Sequence, residues 1–288
     1  MKDIFNSRRF GRYLLSDMKN CASAFGLSMA LICTMGLIIY AGTVIMGLVF
    51  KGAWEGPDHG FRFFTFMVSM FVLFTSMPVK CYGGITEKRK GTTWIMMPVS
   101  VTEKYLSMIL MTAVIVPVMA GGAYMFIDAV ICMLDPTCGV PIFTTCTDFV
   151  GSIVEIGVAT DNDLKNFPEM AEFVKQVSNP LLYIDDIIMI SLTFLMGAIW
   201  FKRSKTAKTI LSFIGISTAI GVIMTPMISG HFMEIVRNVN LVETADDVNA
   251  LFGTWPFRHV ALMDTINDSV INICLLTGIF LRIKTLKH

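Results

Sequence analysis

The sequence predicts an all-α, polytopic integral membrane protein with six transmembrane helices and an N-terminal interfacial helix. Three observations carry this expectation. Hydrophobic residues make up 54% of the 288 residues and charged residues only 16%, and mean hydropathy is +0.66; soluble chains carry about 25% charged residues. The apolar residues are gathered into long uncharged runs. The Lys and Arg residues fall on alternate connections between those runs.

Taken in order, residues 4–20 have the spacing of an amphipathic helix, with Phe10, Tyr13, Leu14 and Met18 on one face and Arg8, Arg9, Arg12 and Lys19 as cationic surface. Such a helix suits the headgroup plane ahead of a first span. The first span is 26–50, with 25 uncharged residues from Gly26 to Phe50. That run is too long for the apolar region of a cleavable signal, so it is expected to stay in the membrane. The second span is 63–79 and the third 101–134, each built on an uncharged run. A helix needs about 20 mostly apolar residues to cross the hydrocarbon core, where no water satisfies a bare peptide group. The fourth span, 180–201, contains Asp185 and Asp186; the fifth is 209–230; the last, 261–281, contains Asp264 and Asp268. Between them lie a connecting loop at 80–100 and two acidic segments, 135–179 and 231–260.

Orientation follows from charge. Segments 1–24, 80–104, 202–208 and 282–288 hold 17 of the 23 Lys and Arg residues, with Asp3, Asp17, Glu87 and Glu103 as their only acids. Lys and Arg resist translocation, so this side, with both termini, is expected to be cytoplasmic. Trp54, Trp200 and Trp255 stand at span ends, where indole favours the interface. The net charge of +1 gives no field for nucleic acid, and none is expected as a partner.

Few groups point to chemistry. Asp264, Asp268 and Asn272 recur every four residues and share one helical face. They either line a pathway for a cationic substrate or sit near the outer headgroups. Asp128, Asp185 and Asp186 read similarly, with Arg62, Arg237 and Arg258 as available counter-ions. Pro117 and Pro226 fall inside spans and are expected to kink them. Cys138 and Cys146 share an outer segment and could form a disulfide in an oxidising compartment, or remain buried thiols. No Cys/His cluster suggests a metal, and neither HExxH nor GxSxG occurs, so no catalytic residue is expected.

The loop after the second span is the most informative stretch. Gly83 and Gly84 release the chain from the helix, Thr86–Lys90 carries mixed charge, and Trp94–Met97 is apolar. Pro98 ends that piece, and Ser100 with Glu103 forms a capping box that starts the next helix near Val101. A short helix with a charged and an apolar end suits either a groove on another protein or the headgroup layer.

This segment resembles the coupling loop of ABC transporter type-2 permeases, the membrane subunits of ATP-driven exporters. The match lies at Glu87, Lys88, Gly91, Thr92, Pro98, Val99, Ser100 and Glu103, while Lys90 stands in place of an acid and Trp94 where the family often has Glu. The resemblance implies a permease dimer in a bacterial inner membrane, each copy docked through this loop on a separate ATP-binding cassette subunit. It implies that Glu87, Lys88, Arg89, Gly91, Thr92, Trp94, Met97 and Glu103 carry the coupling, and that ATP and Mg belong to the partner. In keeping with that, the chain has no Gly-Lys dipeptide, which a Walker A loop requires. A secondary transporter or channel, or a non-transporting scaffold or immunity protein, are the alternatives.

Overall fold

The computed structural model describes residues 5–87, 91–92, 94, 96–144, 171–172, 180–219, 222 and 260–285, with the side chains of 180–184 and 260–264 outside that description. Every regular element among the described residues is helical. Four stretches are long and apolar enough to cross a membrane: Ser7–Phe50, His59–Thr86, Val101–Leu134 and Thr265–Thr285. The chain is therefore a helical protein suited to a membrane.

Helix α1 runs without interruption from Ser7 to Met46. The expected break between an interfacial helix at 4–20 and a first span at 26–50 is absent. The two runs differ in polarity, but nothing between Asn20 and Gly26 breaks a helix, so the backbone hydrogen bonds continue. At about 1.5 Å per residue such a helix is ~60 Å long, about twice the hydrocarbon core. Asn6 caps its start by accepting from the Arg8 and Arg9 amides. Its far end widens into a π turn, Gly47–Lys51, which stops at Gly52 in the left-handed region (φ 65°).

Helix α2, His59–Tyr82, starts at an Asp58 cap and passes through a single 3₁₀ turn, Gly83–Thr86, into the loop. The third expected span is realised as three joined pieces: α3 (Val101–Leu110), a π turn (Met111–Ile115) and α4 (Val116–Leu134). Pro117 explains the π turn. Its ring lacks an amide hydrogen and crowds the carbonyl four residues back, so the preceding turn opens. Helix α5, Pro180–Trp200, is helical over the residues of the expected fourth span, which is not among the four long apolar stretches. Residues 205–219 are helical, as expected for the first half of the fifth; the remainder of that span, apart from residue 222, lies outside the described residues. Helix α6, Val260–Thr285, contains the expected last span.

The chain divides into two compact units: Met1–Cys146 with Ile190–Thr209 and Cys274–His288, and Thr147–Met189 with Ile210–Ile273. In the first unit α1 packs along both α2 and α4. Phe66, Tyr124 and Ile142 form a buried cluster there, with Phe63, Met70 and Met125 against it. Many large apolar side chains point outward, among them Leu27, Phe50, Phe126 and Met133. That arrangement suits hydrocarbon and not water.

Candidate functional site

The basic ends of α1, α2 and α3 meet around the loop 83–104. Three polar ties hold them. Glu103, the third residue of α3, accepts from the Ser100 amide at 3.0 Å while Ser100 Oγ accepts from the Glu103 amide at 3.3 Å. This is the capping box expected from sequence. The same carboxylate accepts from the Asn6 amide at 2.9 Å and from Arg9 Nε and Nη2 at 2.9 and 2.8 Å. Glu103 is fully buried, so it bolts the start of α1 to the start of α3 and does not face outward.

The second tie lies further along α1. Asp17 is buried and accepts from Tyr82 Oη of α2 at 2.9 Å and from Ser107 Oγ of α3 at 2.7 Å. One carboxylate thus links three helices. Buried carboxylates persist only with such donors.

The third tie fixes the loop itself. Lys205 Nζ donates to the Gly83 carbonyl, where α2 ends. Lys104 Nζ donates to the Trp94 carbonyl at 2.9 Å and lies 4.7 Å from the centre of the Trp94 ring, a cation–π distance. Between these anchors the chain keeps helical bonding, Gly91 amide to Glu87 carbonyl at 2.8 Å and Met96 amide to Thr92 carbonyl at 3.1 Å. Gly91 is buried, Trp94 and Met97 are half-buried, and Glu87, Thr92 and Met96 are exposed. Lys88 and Arg89 lie outside the described residues. Arg9, Lys104 and Lys205 are the anchors that sequence reasoning missed. Arg9 stood out no more than Arg8 or Arg12, because its partner lies 94 residues away.

At the opposite end, Arg62 is buried and donates to Asp128 Oδ1 and to the carbonyls of Cys138 and Val140, each at 2.7 Å. Of the counter-ions open to Asp128 in the sequence, the structure selects this one. Close by, Asp135 accepts from the Thr137 hydroxyl at 2.7 Å, Trp54 Nε1 at 2.9 Å, the Thr137 amide at 2.9 Å and Tyr40 Oη at 2.8 Å. The Thr137 hydroxyl foremost, then the Trp54 indole and the other donors, hold its carboxyl well below the usual carboxylate range. Cys138 is buried; Cys146 lies outside the described residues, and so does Trp255.

In the second unit, Asp268 and Asn272 are buried on one face of α6, and Asn272 Nδ2 donates to Asp185 Oδ1 of α5 at 2.7 Å. The Asp264 side chain lies outside the described residues. No group of three or more His, Cys, Asp or Glu side chains placed to hold a metal ion occurs among the described residues.

Comparison with protein families, with characterised proteins and with solved structures finds no match to this chain. Function therefore rests on the residues themselves.

Proposed function

We propose that the chain is the membrane-spanning permease subunit of an ATP-binding cassette exporter, working as a dimer with a separate ATPase in a bacterial inner membrane. The observation that carries the reading is the mounting of loop 83–104. Between its ends Glu87, Thr92 and Met96 are exposed, while those ends are tied to Lys205, Lys104 and, through Glu103, to Arg9 of α1. A push on this segment reaches α1, α2 and α3 together. A partner that closes on ATP needs such a lever, because only a stiff link turns docking into helix movement. The resemblance of 87–103 to permease coupling loops supports the same assignment.

Affinity purification of the tagged chain in mild detergent from its native membrane tests it, with partners read by mass spectrometry. An ATP-binding cassette ATPase is expected in the eluate, and Gly91→Asp or Trp94→Lys is expected to reduce its recovery while the permease still elutes as a folded species. A chain that purifies with no such ATPase, or keeps it undiminished in both variants, would remove the reading.

A further inference from the structure

The polar face of α6 has an imbalance of donors and acceptors. Asp268 is 4% exposed and Asn272 8%. Both lie within the span Thr265–Thr285, where an ionised Asp costs several kcal/mol unless it is compensated. Asn272 spends its Nδ2 on Asp185 Oδ1 at 2.7 Å, and its own Oδ1 is buried and accepts no hydrogen bond among the described residues. The one donor to the Asp268 carboxylate among those residues is the neighbouring Asn267 Nδ2 at 3.3 Å, a long contact. Among the described residues, Asp268 and the Asn272 carbonyl, four residues apart on one face of α6, thus have too few donors and no cation hydrogen-bonded to them.

We propose that Asp268 and the Asn272 carbonyl, with Asp185 orienting the Asn272 amide, bind an alkali cation of sodium's size. Residues four apart on a helix present their side chains one above the other, about 5–6 Å apart at Cβ, so one ion reaches both. All the available donors are hard oxygens, which exclude soft and nitrogen-seeking metals. The single Asp268 carboxylate balances a monovalent ion, whereas calcium and magnesium call for more charge and more fixed oxygens than this face supplies. A bound alkali ion supplies a positive partner to the Asn272 oxygen and to Asp268, which among the described residues have none and one long contact respectively. The assignment is independent of any ATPase partner. It concerns the second unit alone.

The test uses the full-length chain purified in detergent and exchanged into choline chloride. Binding of ²²Na⁺ is measured by scintillation proximity, and thermal unfolding is followed on adding sodium chloride or choline chloride at equal ionic strength. Saturable binding of a single ion per chain is expected, with a melting temperature raised by sodium and not by choline. Asp268→Asn should lose both responses. Because the new amide donates to Asn272 Oδ1, it should also melt in choline no lower than the parent does. Asp185→Asn, which keeps an acceptor for Asn272, should weaken binding about tenfold. Absence of saturable sodium binding to the unaltered protein overturns the proposal, whatever the variants do. So does a choline effect equal to that of sodium, or undiminished binding in Asp268→Asn. The last two outcomes would leave the Asn267–Asp268 and Asn272–Asp185 hydrogen bonds as the account of this face.

Discussion

Arg62 is kept at 5% exposure by what its two terminal nitrogens meet: Asp128, two carbonyls and Cys132 Sγ at 2.8 Å. Removing one member of such a pair strands the other, which costs about 3–5 kcal/mol, whereas removing both together costs much less. Arg62→Leu should therefore destabilise strongly in thermal melts, and Arg62→Leu with Asp128→Leu should recover most of the loss. Arg62→Lys should behave like a partial deletion, because a single ammonium cannot span the same acceptors. Asp135 carries a pH dependence of known sign. Its pKa is lower in the folded chain than in the unfolded one, so its stabilisation is full above the ordinary carboxylate value of about 3.9 and is lost as pH falls through the folded value. Melting temperatures measured from neutral to strongly acid pH should fall more steeply for the parent than for Asp135→Asn, with the curves converging at the acid end. The Ser100–Glu103 cap was legible in the sequence, since it follows from residue type and spacing, whereas for Asp128 the sequence offered three arginines without choosing among them. The Arg9–Glu103 and Asp17–Tyr82–Ser107 ties were not legible, since nothing local distinguishes one arginine or one hydroxyl from its neighbours until the helices are packed.

Helices were read well wherever polarity marked their ends, and poorly where only polarity changed. The junction at Asn20–Gly26 is the clear case: a shift from amphipathic to fully apolar looked like an end, yet the helical period runs straight through it in α1. Where a kink was expected at Pro117, a π turn directly precedes α4. Close packing leaves a similar mark on glycine. A Cβ at Gly197 of α5 would stand 1.8 Å from Thr209 Oγ1 and 2.6 Å from its Cγ2, so α5 and the helical residues that follow it touch through the absence of a side chain. At Gly122 of α4 a Cβ would meet nothing within 4 Å. Gly197→Ala should thus destabilise the chain by about 1–3 kcal/mol through overpacking. Gly122→Ala should stabilise it by up to about 1 kcal/mol through helix propensity alone. Thermal unfolding of the two variants side by side checks both signs, and a neutral Gly197→Ala would mean that Thr209 has room to turn away.

For the molecule as a whole, charge and apolar exposure point the same way. The apolar side chains left outward on α1, α2 and α4 need lipid, and the polar ties sit at the helix ends: Arg9–Glu103 and Asp17 at the basic end, Arg62–Asp128 and Asp135 at the other. In a bilayer such ends would fall where hydrocarbon grades into water, the zone in which charge is least costly. The charge pattern predicts a topology, with the basic segments and both termini on the cytoplasmic side and the Trp54–Asp135 contact on the far side. Fusions truncated after Gly56 should therefore give active alkaline phosphatase and dark green fluorescent protein, and fusions truncated after Lys88 should give the reverse. Placing Lys88 outside would separate the loop from any cytoplasmic ATPase and end the permease reading, while leaving the helices and their ties intact.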